Sequence, residues 1–167
     1  GIPKKFSFLN LKNEFNSYNP KKEYDAIIYI DLTDLDHVGE DFSRIVKAKD
    51  KDAFFIDHHM PEKACRSFWV PENCSSTGEV IYIYLSQAGA AMDPEMAIGL
   101  YTAVVSDTSS FRYSRTTPLC HTIAAEMMKL GGIEPEMIFR NISTVTYNNM
   151  RFLGYFLSNI KLIEDGK

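Results

Sequence analysis

A chain of 167 residues with 45% hydrophobic and 13% aromatic side chains has material for one globular core and is too apolar for a disordered segment. A formal net charge of −4 advertises no broad basic surface for long nucleic acid, whereas a small phosphorylated ligand needs only local positive charge, which bound metal ions can supply. No apolar run is long enough to span a bilayer, so no membrane partner is expected. The three cysteines, Cys65, Cys74 and Cys120, form no C-x-x-C pair and point to a reducing cytoplasm.

Residues 1–23 are polar, with Phe6, Phe8, Leu9, Leu11 and Phe15 as packing anchors, and predict irregular structure with a short helix. "YDAIIYIDL", 24–32, is a β-rich apolar run and predicts a buried strand. Helical spacing of Phe42, Ile45 and Val46 over 41–49 leads into a second strand at "AFFI". Strand, short helix and strand in this span predict a right-handed βαβ unit with parallel strands.

A third strand is expected at "RSFWV", 66–70. "SSTGEVIYIYLSQAG", 75–89, opens on the capping-box pattern of Ser76 and Glu79 and closes on Gly89, so a helix is expected despite its β-branched middle. Asp93-Pro94 and Thr117-Pro118 start two more helices, 93–108 and 116–132. "EPEMIFRNI" and "NNMRFLGYFLSNIKLIEDG" read as further helices. The fold class is therefore α/β with a parallel sheet and a helical C-terminal end.

Ligands of parallel α/β sheets bind beyond the carboxyl ends of the strands. Asp31 ends the first strand and Asp57-His58-His59 ends the second, so neighbouring strands would bring these groups to one rim. Asp107 closes an apolar helix beside the negative end of its dipole and calls for a positive partner, a divalent cation or Arg112. Carboxylate and imidazole ligands without thiolates suit Mn²⁺ or Mg²⁺. Two such ions can activate a water and clamp a phosphoryl group, with Asp31 as the carboxylate between them and Arg112 as a planar fork for phosphate. Read singly, Asp34 and Asp36 are a solvated acidic turn, Ser76 a helix cap, Arg115 a surface charge, and His37 and His121 structural or solvent-facing.

"IDHH" followed by "SDTSSFRYSRTTP" resembles the DHH phosphoesterase superfamily, which includes RecJ-like exonucleases, family II inorganic pyrophosphatases and cyclic-dinucleotide phosphodiesterases. "PKKFSFL", "YIDLTDLDHVG", "SSTGEVIY" and "AAEMMKLGG" are similar, in order, to its oligoribonuclease and phosphoadenosine-phosphate phosphatase branch, the nanoRNases. The resemblance implies a three-layer domain over 1–147. It also implies that residues 148–167 form a helical linker towards a second, substrate-gripping domain.

It further implies that Asp31, His58 and Asp107 bind two metal ions, Mn²⁺ or Mg²⁺. Asp57 would lie beside them, His59 would contact the scissile phosphate and protonate the leaving group, Arg112 would face substrate, and Asp34 would support. The superfamily's first motif, H-x-x-x-D-x-D, is not in this sequence. The implied activity is hydrolysis of short oligoribonucleotides or of 3'-phosphoadenosine 5'-phosphate in the cytoplasm, in a protein that could form a homodimer. The alternatives are a cyclic-dinucleotide phosphodiesterase, a pyrophosphatase or exopolyphosphatase, and a non-catalytic nucleotide- or phosphate-binding fragment.

Overall fold

The computed structural model describes residues 2–9, 11, 25–32, 53–59, 68–69 and 73–161. The expected helix over 41–49 and the acids Asp34 and Asp36 lie outside the described residues, as do His37 and Cys65. A 3-10 helix, Lys4–Leu9, precedes three strands: β1 (Ile27–Ile30), β2 (Ala53–Ile56) and β3 (Phe68–Trp69). Five α-helices follow: α1 (Thr77–Gln87), α2 (Pro94–Asp107), α3 (Pro118–Gly131), α4 (Pro135–Ser143) and α5 (Tyr147–Ser158).

The strands form one parallel sheet in the order β1-β2-β3, with Ile27 opposite Ala53 and Ile30 opposite Ile56. This register ends β1 and β2 at the same level, which is the geometry the parallel reading required. The strand at 24–32 was expected to be buried on both faces and is not. Tyr29 is buried and stacks on Phe55 at 4.7 Å between ring centroids, while Ile28 and Ile30 remain 59% and 54% exposed. Side chains alternate across a strand, and only the Tyr29 face of β1 is covered.

The helices start where their caps dictate. Ser76 accepts from Glu79 N and the Glu79 side chain reaches back, closing the capping box of α1. The Asp93 carboxylate accepts from Met96 N ahead of Pro94, and Thr117 accepts from Cys120 N ahead of Pro118. Gly132 ends α3 at φ 58°, the left-handed conformation that glycine adopts without Cβ strain.

The core lies between these helices. Ala97, Leu100, Tyr101 and Val105 of α2 pack with Ile123, Ala124 and Met127 of α3 and with Ile133 and Ile138. Each fully buried Ile or Met there contributes roughly 1.5–3 kcal/mol. At the α1–α2 crossing, a Cβ on Gly78 would sit 2.8 Å from the Ala103 Cβ, so glycine sets how closely the two helices approach. Among the described residues no helix is long and apolar enough to cross a membrane.

Candidate metal and phosphate site

At the end of β1 the Asp31 N–H still donates to Ile56 O at 3.0 Å, as the ladder requires. The backbone then turns into the left-handed region, with φ 57° at Asp31, a conformation tolerated better by Asp than by most residues. Its Oδ1 accepts from Thr77 Oγ1 at 2.8 Å and stands 3.8 Å from His58 Nε2, too far for a hydrogen bond. Thr77 thereby couples the start of α1 to the rim of the sheet.

Beyond β2, Asp57 is fully buried and organises its own turn. Its Oδ1 accepts from His58 N at 2.6 Å, His59 N at 2.9 Å and His59 Nδ1 at 2.8 Å. An aspartate bonding the backbone two residues on is a common turn device. Here it also places the proton of neutral His59 on Nδ1 and leaves Nε2 as the acceptor. His59 is more than half exposed, whereas His58 beside it is buried. Burial holds the His58 pKa below its usual range, helped by the neighbouring His59 and Arg115 and opposed by Asp31 and Asp57. His58 is thus neutral near pH 7, with a lone pair free for a cation.

Asp107, the last residue of α2, joins Asp31, His58 and His59 in lining one cavity of about 270 Å³. Although the residue as a whole is exposed, loss of hydration around its carboxyl group pushes the pKa up to about 6, with the charges of Asp31 and Asp57 adding to the shift. Four sequence-selected residues therefore share this cavity or its rim, and Asp57 holds their turn from below. Ligand atoms of Asp31, Asp57, His58 and His59 all lie within 4.8 Å of one another. Two buried polar atoms of this group, Asp57 Oδ2 and His58 Nδ1, have no hydrogen-bond partner among the described residues. Oxygen and nitrogen donors with unsatisfied, desolvated atoms fit a hard or borderline divalent cation.

Among the described residues Arg112 makes no ion pair with Asp107; it was one of the two partners, beside a divalent cation, that the sequence offered for this acid. After α2 the chain passes through a left-handed turn, with φ of 49°, 59° and 63° at Ser109, Ser110 and Phe111. Thr108 anchors it: its Oγ1 accepts from Phe111 N at 2.9 Å, and its carbonyl accepts from Arg112 N at 2.9 Å and Tyr113 N at 3.1 Å. Arg112 is folded onto this turn, donating through Nε to Ser109 O at 2.8 Å and through Nη2 to Ser109 Oγ at 2.9 Å.

Arg115 lines the cavity instead, together with Ser75, Thr108 and Tyr113. No local signal marks this place, because a basic residue in a polar loop reads as a surface charge. Thr77 was equally hidden behind the capping pattern of Ser76. His121 stacks on Phe111 at 4.9 Å, in keeping with a structural histidine. Asp34 lies outside the described residues.

No protein-family model matches the chain. Two curated relatives are similar over 117 residues, 70% of this chain: the uncharacterized protein MG371 of Mycoplasma genitalium at 27% identity and its Mycoplasma pneumoniae homologue at 23%. The matched region is 36% of each relative, so the chain spans about a third of their length. Among solved structures, an exopolyphosphatase-related protein from Bacteroides fragilis superposes on 99% of this chain and 52% of its own, with a TM-score of 0.85 and 26% identity. A candidate family II inorganic pyrophosphatase from Methanococcus jannaschii covers 84% of this chain and 49% of its own, with a TM-score of 0.59 and 22% identity. The helical and parallel-strand architecture is therefore the fold of the exopolyphosphatase-related protein. It is shared more loosely with the second protein.

Proposed function

We propose that this chain forms the catalytic domain of a metal-dependent DHH-superfamily phosphoesterase. In this reading it has the three-layer arrangement of that superfamily and acts on short oligoribonucleotides or 3'-phosphoadenosine 5'-phosphate. The observation that carries the reading is the convergence of Asp31, Asp57, His58 and His59 within 4.8 Å, beside Asp107, at the carboxyl rim of a parallel sheet. The ordered motifs, above all "FRYSRTTP", support the nanoRNase branch. The acidic balance of the chain accords with a dinucleotide-sized substrate that needs no basic track.

Asp31, His58 and Asp107 are the assigned cation ligands, with Mn²⁺ preferred and Mg²⁺ as a substitute. When bound, a pair of such ions supplies Lewis-acid polarisation of the phosphoryl group and activation of water. The protein does the rest. Asp57 fixes the His59 ring through Nδ1, so that in its imidazolium form the ring can give its Nε2 proton to the departing oxygen and return to the neutral form. His58 stays uncharged and Thr77 steadies Asp31. Arg112 is assigned to substrate and would leave Ser109 to reach it, and Asp34 is assigned a supporting role.

A pyrophosphatase or exopolyphosphatase is the second reading, favoured by the names of the two structural neighbours. A panel of a diribonucleotide, 3'-phosphoadenosine 5'-phosphate, a cyclic dinucleotide, pyrophosphate and polyphosphate, assayed on the full-length protein with Mn²⁺, separates them. Preferential release of mononucleotide from the first two is expected. Preferential turnover of pyrophosphate or polyphosphate would replace the reading with the second.

A further inference from the structure

We propose that Arg115, anchored through one nitrogen to the Asp57-His58-His59 turn, grips the substrate phosphate in this site. The proposal rests on the phosphoesterase reading above and adds to it a positioning residue for the anion. The Arg115 Nη2 donates to His58 O at 2.9 Å and to Cys74 O at 3.0 Å, tying the turn after β2 to the segment that leads into α1. Both bonds use one nitrogen. Among the described residues, neither Nε nor Nη1 has a hydrogen-bond partner, and no carboxylate stands within ion-pairing distance.

Arg115 is exposed overall and lines the cavity together with Asp31 and Asp107. It has a fixed charge, donors in a planar fork and an anchored nitrogen, which is the preorganisation that a phosphoryl oxygen requires. Arg112, by contrast, spends its Nε and Nη2 on Ser109.

The test compares wild type, Arg115→Ala and Arg115→Lys in the full-length protein, titrating inorganic phosphate in the presence of saturating Mn²⁺ and, separately, Mn²⁺ alone. Arg115→Ala is expected to weaken phosphate binding by about tenfold or more. Arg115→Lys should fall between, because it keeps the charge and loses the fork. Mn²⁺ affinity should change far less than phosphate affinity in both, since neither variant removes a metal ligand. Added guanidinium ion should restore part of the phosphate affinity of Arg115→Ala, which a purely structural role would not allow.

Phosphate affinity that is unchanged in the variants, or absent in wild type, overturns the proposal. So does parallel loss of phosphate and Mn²⁺ binding, which would make Arg115 only a prop for the turn. If Arg115→Ala does not fold, Arg115→Lys decides by the same criteria. A wild type that binds phosphate but hydrolyses no phosphoester would defeat the functional reading while the phosphate affinities still judge Arg115.

Discussion

A single oxygen, Asp57 Oδ1, receives two backbone N–H groups and the His59 ring. Its partner oxygen Oδ2 is buried without a bond. An unsatisfied buried carboxylate oxygen is costly, and a cation removes that cost more completely than any neutral donor. Asp107 carries the corresponding pH dependence. Its pKa lies at about 6, above the usual 3.8, so the folded protein favours the protonated carboxyl. The contribution of this group to stability is therefore full below the ordinary carboxylate range and declines as pH rises towards 6.

A cation ligand must be deprotonated, so metal binding has the opposite trend. Below about pH 6, Mn²⁺ affinity is expected to fall by about tenfold per pH unit, the slope of one proton. Calorimetric titration across this range should show it, and Asp107→Asn should flatten the curve. A slope already absent in wild type would remove Asp107 from the cation site.

At this scale the sequence marked the acids and histidines because each ended an apolar run. It hid Arg115 and Thr77 because their partners, the His58 carbonyl and the Asp31 carboxylate, are 57 and 46 residues away in the chain.

The elements owe their boundaries to local chemistry, which is why they were legible. Ser76 with Glu79, Asp93 with Pro94 and Thr117 with Pro118 each announce a helix start that the hydrogen bonds confirm. The half-exposed β1 was not legible, because an apolar strand pattern does not say which faces other elements will cover. The left-handed turn at 109–111 was hidden for a different reason. Neither Ser nor Phe favours positive φ, and tertiary anchoring by Thr108 imposes it.

Element packing also sets the site. Gly78 lets α1 approach α2, and Thr77 beside it holds Asp31 while Asp107 ends α2. Gly78→Ala forces a 2.8 Å contact with Ala103 and a 3.3 Å contact with Leu100 O. We expect it to cost roughly 1–3 kcal/mol in denaturant unfolding and to weaken Mn²⁺ binding together with stability. An unchanged unfolding midpoint would show that the α1–α2 approach does not depend on glycine.

Across the whole molecule, parallel strands bring the two chain segments ending in Asp31 and Asp57 to one level, and the helical layer adds Asp107 and Arg115. The parallel sheet was readable from the strand–helix–strand order. The identity of the cavity wall was not, because it depends on how the chain returns after α2. In the function proposed above, this rim is a cation-dependent phosphoester-hydrolysing site with His58 as a ligand.

The most direct test is mononucleotide release from a diribonucleotide by the full-length protein, with and without Mn²⁺, beside a His58→Ala variant whose fold is checked by circular dichroism. Mn²⁺-dependent release by wild type is expected, and its loss, by at least about a hundredfold, in the variant. Release by His58→Ala at the wild-type rate, or release that ignores the cation, would contradict the proposed function.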